Sequence, residues 1–500
     1  MMNRAASLLG ALLLGCAATS AQAADKEKLE AQARAYQPQS VTTRHSGTFG
    51  GVRMRYSATV AETVLRSKEE VPEAAVVTTA YIKEPRDPSR PVTFLFNGGP
   101  GSGSVWLQMG AFGPKRVAIP GDARDDGAPP YPLLDNPDSL LDVTDLVFID
   151  PPGTGFSVLL PGADPKNYYG INQDAQAVAE VIRRWLGDNG RWNSPKFLGG
   201  ESYGTFRTGA VVQQLEGGTF NDVGLNGLIL ISTILDYSLR SETPGNEMTF
   251  VMHLPSYAVT ALFHGKVQAN SVAAFAEEAR QFATGPYAAF LLKGQRASAE
   301  ERAAIRARLV RFTGLSPEFL EAADMRVLPG RFYKELLRDR GVTVGRLDSR
   351  YTGRDHDSAG ETPDNDPSFY GIDAGYTAAM NSFMRDTLGF HTQREYQSIS
   401  NVVGREWDWR LGGRDANNYV NVTPWIARAM RENSGLRTFV GQGWYDMATP
   451  FFGAEYALTR TGVPQDRLAF EYYEAGHMMY VREEDRAKLS RDVRAFIRTR

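Results

Sequence analysis

Five short apolar runs constrain this chain most. Val92-Thr93-Phe94-Leu95-Phe96, Leu146-Val147-Phe148-Ile149, Leu228-Ile229-Leu230-Ile231, Thr438-Phe439-Val440 and Leu468-Ala469-Phe470 are apolar almost without interruption, not at every second position. A strand with one face in water alternates. A strand covered on both faces does not, and such strands belong to parallel sheets buried between helices. Helical spacing lies between the runs, at Val178, Val181, Ile182, Trp185 and Leu186, and again at Leu489, Val493, Phe496 and Ile497. The alternation predicts an α/β fold, a mostly parallel central sheet flanked by helices.

The rhythm lapses over residues 237–430. There Ser298 and Glu301 have capping-box spacing, which predicts a helix over 298–312, and the polar, Gly- and Asp-rich stretch 352–366 predicts a loop. A separate domain is one reading of this segment. The return of strand signals near 437 favours a largely helical cap inserted between two core strands. The chain then divides into a first core part at 25–236, the cap at 237–430 and a second core part at 431–500. With 500 residues the chain is long enough for a core with such an insertion.

The N-terminus reads as a leader. Arg4 supplies positive charge, Leu8 to Leu14 an apolar run, and Ala21-Gln22-Ala23 a small-residue cleavage site, so 1–24 is expected to be a signal peptide. The run is shorter than the ~20 residues a membrane span needs. Cys16 is the only cysteine. Leu13-Leu14-Gly15-Cys16 resembles a bacterial lipobox, which would lipidate Cys16 and make the membrane a partner; the plainer reading is a small residue of the leader. Either way the mature chain carries no disulfide, and an exported chain of this kind fits a bacterial periplasm better than a eukaryotic secretory route. Asn421-Val422-Thr423 matches a glycosylation sequon and carries little weight for the same reason. The formal net charge of −3 offers nothing to draw nucleic acid or an anionic membrane surface. No metal-ligand cluster is visible and no cofactor is called for.

Gly200-Glu201-Ser202-Tyr203-Gly204 matches the nucleophile-elbow pattern G-x-S-x-G, in which the serine sits on a strained turn between a strand and a helix. Phe197-Leu198 end a short strand before it, and Phe206, Ala210, Val211 and Leu215 give the following segment helical spacing. This places the chain in the α/β-hydrolase fold class. A serine hydroxyl needs a base, and the base an orienting acid; in this fold they follow in the order serine, acid, histidine. Of six histidines, His45 precedes the serine, His253, His264 and His356 fall in the cap, and His391 precedes the late strands. Only His477 follows them, in the turn Glu474-Ala475-Gly476-His477-Met478. Asp446 closes Gly443-Trp444-Tyr445-Asp446 after the strand before it. The expected triad is Ser202, His477 and Asp446.

Asn97-Gly98-Gly99-Pro100-Gly101 follows the first apolar run. A glycine loop there lets amides approach a reacting carbonyl, with the N–H groups of Gly99 and Tyr203 as the two donors of an oxyanion hole. A phosphate loop would need the lysine of G-x-x-x-x-G-K-[ST] or the spacing of G-x-G-x-x-G, and both are lacking.

Taken with Asp150-Pro151-Pro152-Gly153-Thr154-Gly155-Phe156-Ser157, these blocks resemble the serine carboxypeptidase family, in family order from about 92 to 500. The resemblance implies exopeptidase chemistry on peptide substrates, with the oxyanion donors at Gly99 and Tyr203. It implies recognition of the substrate's terminal carboxylate by Asn97, Gly98 and Glu201, with Met478 lining the pocket of the leaving residue. Glu201 can donate to a carboxylate only when protonated, and burial would favour that state. The chain departs from the family pattern in three ways. The second glutamate of the family falls at Ala111, and no Glu lies between Ser102 and Pro114. Ser102 stands where a cysteine is usual, and the disulfides are missing. The cap has no residue-level match. With half the clamp gone, the expectation is a less acidic pH optimum. An esterase or acyltransferase on the same scaffold is the alternative, and a binding protein on an inactive hydrolase fold is a third.

Overall fold

The apolar runs become strands whose side chains divide between two faces. In the computed structural model, which describes residues 24–218, 221–411 and 419–499, nine strands lie side by side. They are Ser40–Phe49 (β1), Val52–Arg66 (β2), Pro72–Glu84 (β3), Val92–Phe96 (β4), Asp145–Ile149 (β5), Lys196–Ser202 (β6), Gly227–Thr233 (β7), Arg437–Gly443 (β8) and Leu468–Tyr473 (β9). Their order is β1-β2-β3-β5-β4-β6-β7-β8-β9, and the two-residue strand Val158–Leu159 pairs with β3. The five joins from β5 to β9 are parallel. The three joins from β1 to β5 are antiparallel.

Period two sends Phe94, Phe96, Leu198, Leu228 and Leu230 to one face and Leu95, Phe197, Ile229, Ile231 and Phe439 to the other. Helices Ile171–Asp188 (α1) and Tyr203–Leu215 (α2) cover the first face. Burying each such side chain contributes about 1.5–3 kcal/mol, which fixes the register of the strands.

The chain leaves the sheet at Thr233 and rejoins it at Arg437. Between them run helices Met248–Phe263 (α3), Val272–Phe282 (α4), Ala299–Thr313 (α5) and Asp373–Ser382 (α6). Ser298 and Glu301 form the capping box of α5. Stretch 352–366 is irregular apart from the two-residue strand Thr352–Gly353, which pairs with Thr343–Val344. The apolar core of α3, α4 and α5 is continuous with the first face of the sheet. Helix Glu483–Arg498 (α7) returns to pack Leu489, Val493 and Phe496 on the second face.

Residues 1–23 of the expected leader, Cys16 among them, lie outside the described residues. Among the described residues no helix is long and apolar enough to cross a membrane. The sequon residue Asn421 has its amide engaged: Nδ2 donates to Asp236 at 2.9 Å and Oδ1 accepts from the Thr423 N–H.

Candidate active site

Parallel strands deliver their C-terminal loops to one edge of the sheet, and such edges hold the ligand sites of α/β folds. The expected residues arrive there from four strands. Asn97, Gly98 and Gly99 follow β4, Ser202 ends β6, Asp446 follows β8 and His477 follows β9.

Ser202 has φ +61° and ψ −131°, the strained backbone of an elbow, which costs on the order of 1–3 kcal/mol. The tight turn depends on absent side chains. A Cβ at Gly200 would lie 2.1 Å from the Gly204 carbonyl oxygen, and one at Gly204 2.7 Å from that of Phe96. Tyr203 opens α2, so its N–H has no intrahelical acceptor. Its ring turns away into the core, stacked on Phe206 and edge-on to Trp407. Gly98 passes so close that a Cβ there would lie 2.5 Å from the Tyr203 nitrogen, and Gly99 follows with φ +103°. The Asp150 block fastens this loop. Asp150 Oδ1 accepts the Ser104 N–H at 2.7 Å, the Ser104 hydroxyl donates to the Ile149 carbonyl, and burial pushes the Asp150 carboxyl up to about 6.

His477 Nδ1 lies 2.8 Å from Asp446 Oδ2. That contact assigns the Nδ1 proton to the carboxylate side and leaves Nε2 as the free acceptor. Asp446 is itself held. Its Oδ1 accepts the N–H groups of Ala448 and Thr449 at 2.8 and 2.9 Å, and its Oδ2 the Thr449 hydroxyl at 2.6 Å. Burial works to lower the His477 pKa, but the charge and hydrogen bond of Asp446, with Glu201 beyond, leave it above the usual imidazole value. Ser202 and His477 line one cavity of about 390 Å³. No Ser202–His477 hydrogen bond forms among the described residues; such contacts often tighten only with substrate bound.

Asn97, Gly98, Gly99, Glu201 and Met478 line the same cavity. Asn97 Oδ1 accepts the Leu107 N–H at 3.0 Å. The Glu201 side chain is buried and Oε2 accepts the Tyr480 hydroxyl at 2.6 Å. Burial is the main force that raises the Glu201 carboxyl to about 7. His477, the Tyr480 hydroxyl and the Asn97 amide pull against it, and Asp446 adds to it. Ala111 is buried in the irregular turn Leu107–Phe112. The other histidines do not line this cavity. His253 is buried against the Thr249 carbonyl and pushed down to about 4, His264 Nε2 lies 2.7 Å from the Ser349 carbonyl oxygen, and His391 lines a separate hollow with Arg385 and Arg394.

Sequence reasoning missed the residues that hold the site from behind. The buried pair Arg207–Asp174 meets at 2.6 Å, and Arg207 also donates to the Asn97 carbonyl. Ser232 donates to the His477 carbonyl. Thr449, Asp348 and Tyr480 have no motif of their own. Only Thr449 had a usable signal, a hydroxyl three residues after the acid.

The family model for serine carboxypeptidases matches residues 80–289. That span holds the glycine loop, the Asp150 block and the elbow. No curated protein matches the chain. Among solved structures, a prohormone-processing carboxypeptidase from Saccharomyces cerevisiae shares 14% identity over 88% of this chain and 91% of its own, with a TM-score of 0.54. Looser likenesses include a cell wall degrading esterase from Xanthomonas oryzae, at 12% identity over 92% and 97% with a TM-score of 0.38. Juvenile hormone epoxide hydrolase from Bombyx mori has 13% identity over 88% and 77%, with a TM-score of 0.33. The fold is that of the α/β-hydrolases, and the chain is a serine hydrolase.

Proposed function

We propose that this protein is a serine carboxypeptidase that releases C-terminal residues from peptides. Ser202 Oγ attacks the scissile carbonyl while His477 Nε2 takes its proton. Asp446 holds the imidazole in the required tautomer and stabilises its charged form. The N–H groups of Gly99 and Tyr203 receive the developing oxyanion. His477 then passes the proton to the leaving amine, the C–N bond breaks, and water attacks the acyl-enzyme with the same imidazole as base. Asn97, Gly98 and protonated Glu201 receive the terminal carboxylate, with Met478 against the leaving side chain. Segment 237–430 acts as the cap, contributing Arg346, Leu347, Phe369 and Ile399 to the cavity wall. We place the enzyme outside the cytoplasm, in a periplasm or medium.

One observation carries this reading: beside the nucleophile, in the cavity wall, stands a buried carboxyl raised to about 7. Such a group can stay protonated and donate to an anion that a simple esterase would not need to bind. The test compares an N-blocked dipeptide with its C-terminal amide, for the wild type and Glu201→Gln. Preference for the free acid, reduced in the variant, is expected. Equal turnover of acid and amide, or cleavage of esters alone, would instead support the esterase or acyltransferase reading, which the apolar Ala111 favours.

A further inference from the structure

Glu201 has its Oε2 occupied by a phenol. Tyr480 is wholly buried in the short turn Met479–Val481, three residues after His477, and its hydroxyl donates to Glu201 across 2.6 Å. The loop that delivers the base therefore also delivers this donor. Space for it comes from a missing side chain. A Cβ at Gly110 would lie 2.6 Å from a Tyr480 ring carbon and 2.5 Å from the Tyr376 hydroxyl.

We propose that Tyr480 is the positioning residue of Glu201. By fastening Oε2, it leaves Oε1, with the proton, to face the cavity and meet an anionic group of the substrate. This rests on the reading that Glu201 receives the substrate's terminal carboxylate. Glu201 is faced by Asn97 from the glycine loop, His477 and Tyr480 from the loop after β9, Asp446 from the loop after β8, and Tyr376 from α6. Arg116 and Arg486 bear on Tyr376 from its other surroundings. Of these groups, Tyr480 makes a short, direct hydrogen bond to the carboxyl, at 2.6 Å. A donor to a carboxylate stabilises its ionised form. Tyr480 thus orients Glu201 and also sets how far burial can raise its pKa.

The experiment measures kcat/KM against pH for an N-blocked dipeptide acid with wild type and Tyr480→Phe. The alkaline limb of the variant is expected about one pH unit higher, the scale of one lost hydrogen bond to a charged group. Labelling of Ser202 by a fluorophosphonate, which carries no carboxylate, should still go to completion and shows that the fold survives. A limb that superposes on the wild type, with labelling intact, overturns the proposal. If the phenylalanine variant does not fold, replacing Tyr480 by difluorotyrosine keeps the packing and strengthens the donor, so the limb should move down; an unmoved limb overturns it. Should the wild type not discriminate acid from amide, the reading of Glu201 as a carboxylate site fails separately. The infrared titration of its carboxyl, taken as wild type minus Glu201→Gln, still reports whether Tyr480 sets it.

Discussion

Asp348 Oδ2 accepts the Gly476 N–H at 3.1 Å, so a residue of segment 237–430 holds the loop that carries His477. Its neighbours extend the brace. The Leu347 carbonyl accepts the His477 N–H at 2.6 Å, the Arg346 carbonyl that of Met447 at 3.1 Å, and the Ser349 N–H donates to the Tyr445 carbonyl at 2.9 Å. One short segment thereby ties the acid loop to the histidine loop. The same segment lines the cavity through Arg346 and Leu347 and holds the backbone on either side of the imidazole.

Asp348→Ala tests the brace. The substitution removes the Gly476 acceptor and strands Arg350, a buried partner at 2.6 Å. Leaving one charge of a buried pair alone costs about 3–5 kcal/mol. Thermal or urea unfolding should show that loss. Where the variant remains folded, kcat should fall about tenfold or more while KM changes less, since misplaced catalytic groups reduce the chemical step. Unchanged melting and kcat would mean the brace is idle.

Thr449→Val removes a methyl-sized polar group and little else. The hydroxyl donates to the same Asp446 oxygen that meets His477, and lies 3.2 Å from Nδ1. The residue is buried, so valine fits the volume but leaves Asp446 short of a donor. The imidazole loses part of its orientation, and kcat/KM should fall about tenfold. If the proposed triad operates, Ser202→Ala should cost far more, about 10⁴-fold or beyond, and adding His477→Ala should cost little further, as for residues that act as a unit.

The strand ends that carry Ser202, Asp446 and His477 were legible because each is a local pattern placed after a strand that itself shows in the sequence. The antiparallel strands β1 and β2 were not. Their residues alternate with polar and charged ones, and β1 is half exposed along most of its length, so no continuous apolar run marks them. Tyr480 and Tyr376 reach Glu201 from separate parts of the chain, and the room they occupy exists only because position 110 has no side chain. Asp348 meets Gly476 across 128 positions. Convergence of that kind leaves no trace in spacing.

The two titrating groups of the site predict a narrow pH window. In the proposed mechanism His477 must be neutral to take the serine proton, and its pKa is raised above the usual imidazole value, so kcat/KM should fall on the acid side of that raised value. In the proposed role Glu201 must be protonated to donate, and burial raises its carboxyl to about 7, so KM for a free-acid peptide should rise above that. An ester or amide of the same acyl group escapes the second limb and should keep its rate at higher pH. The free-acid optimum should lie near neutrality. An optimum below about pH 5, where ordinary carboxyls titrate, would contradict the placement of both groups.

Stability carries an independent reading of Glu201. Its ordinary value of 4.5 rises to about 7 in the fold, first through burial. Between those values the native state binds more protons than the unfolded chain, so stability declines as pH rises. Below 4.5 both states are protonated and the full stability is present. Above about 7 the fold must bury the charge, a cost on the order of 3 kcal/mol. Glu201→Gln removes the charge but keeps an oxygen for Tyr480. Its melting temperature should match the wild type in acid and exceed it by a few degrees above pH 7, the gap opening between those limits. Parallel melting curves across that range would mean that Glu201 titrates as a solvated carboxyl, and the anion-binding role proposed for it would lose its physical basis.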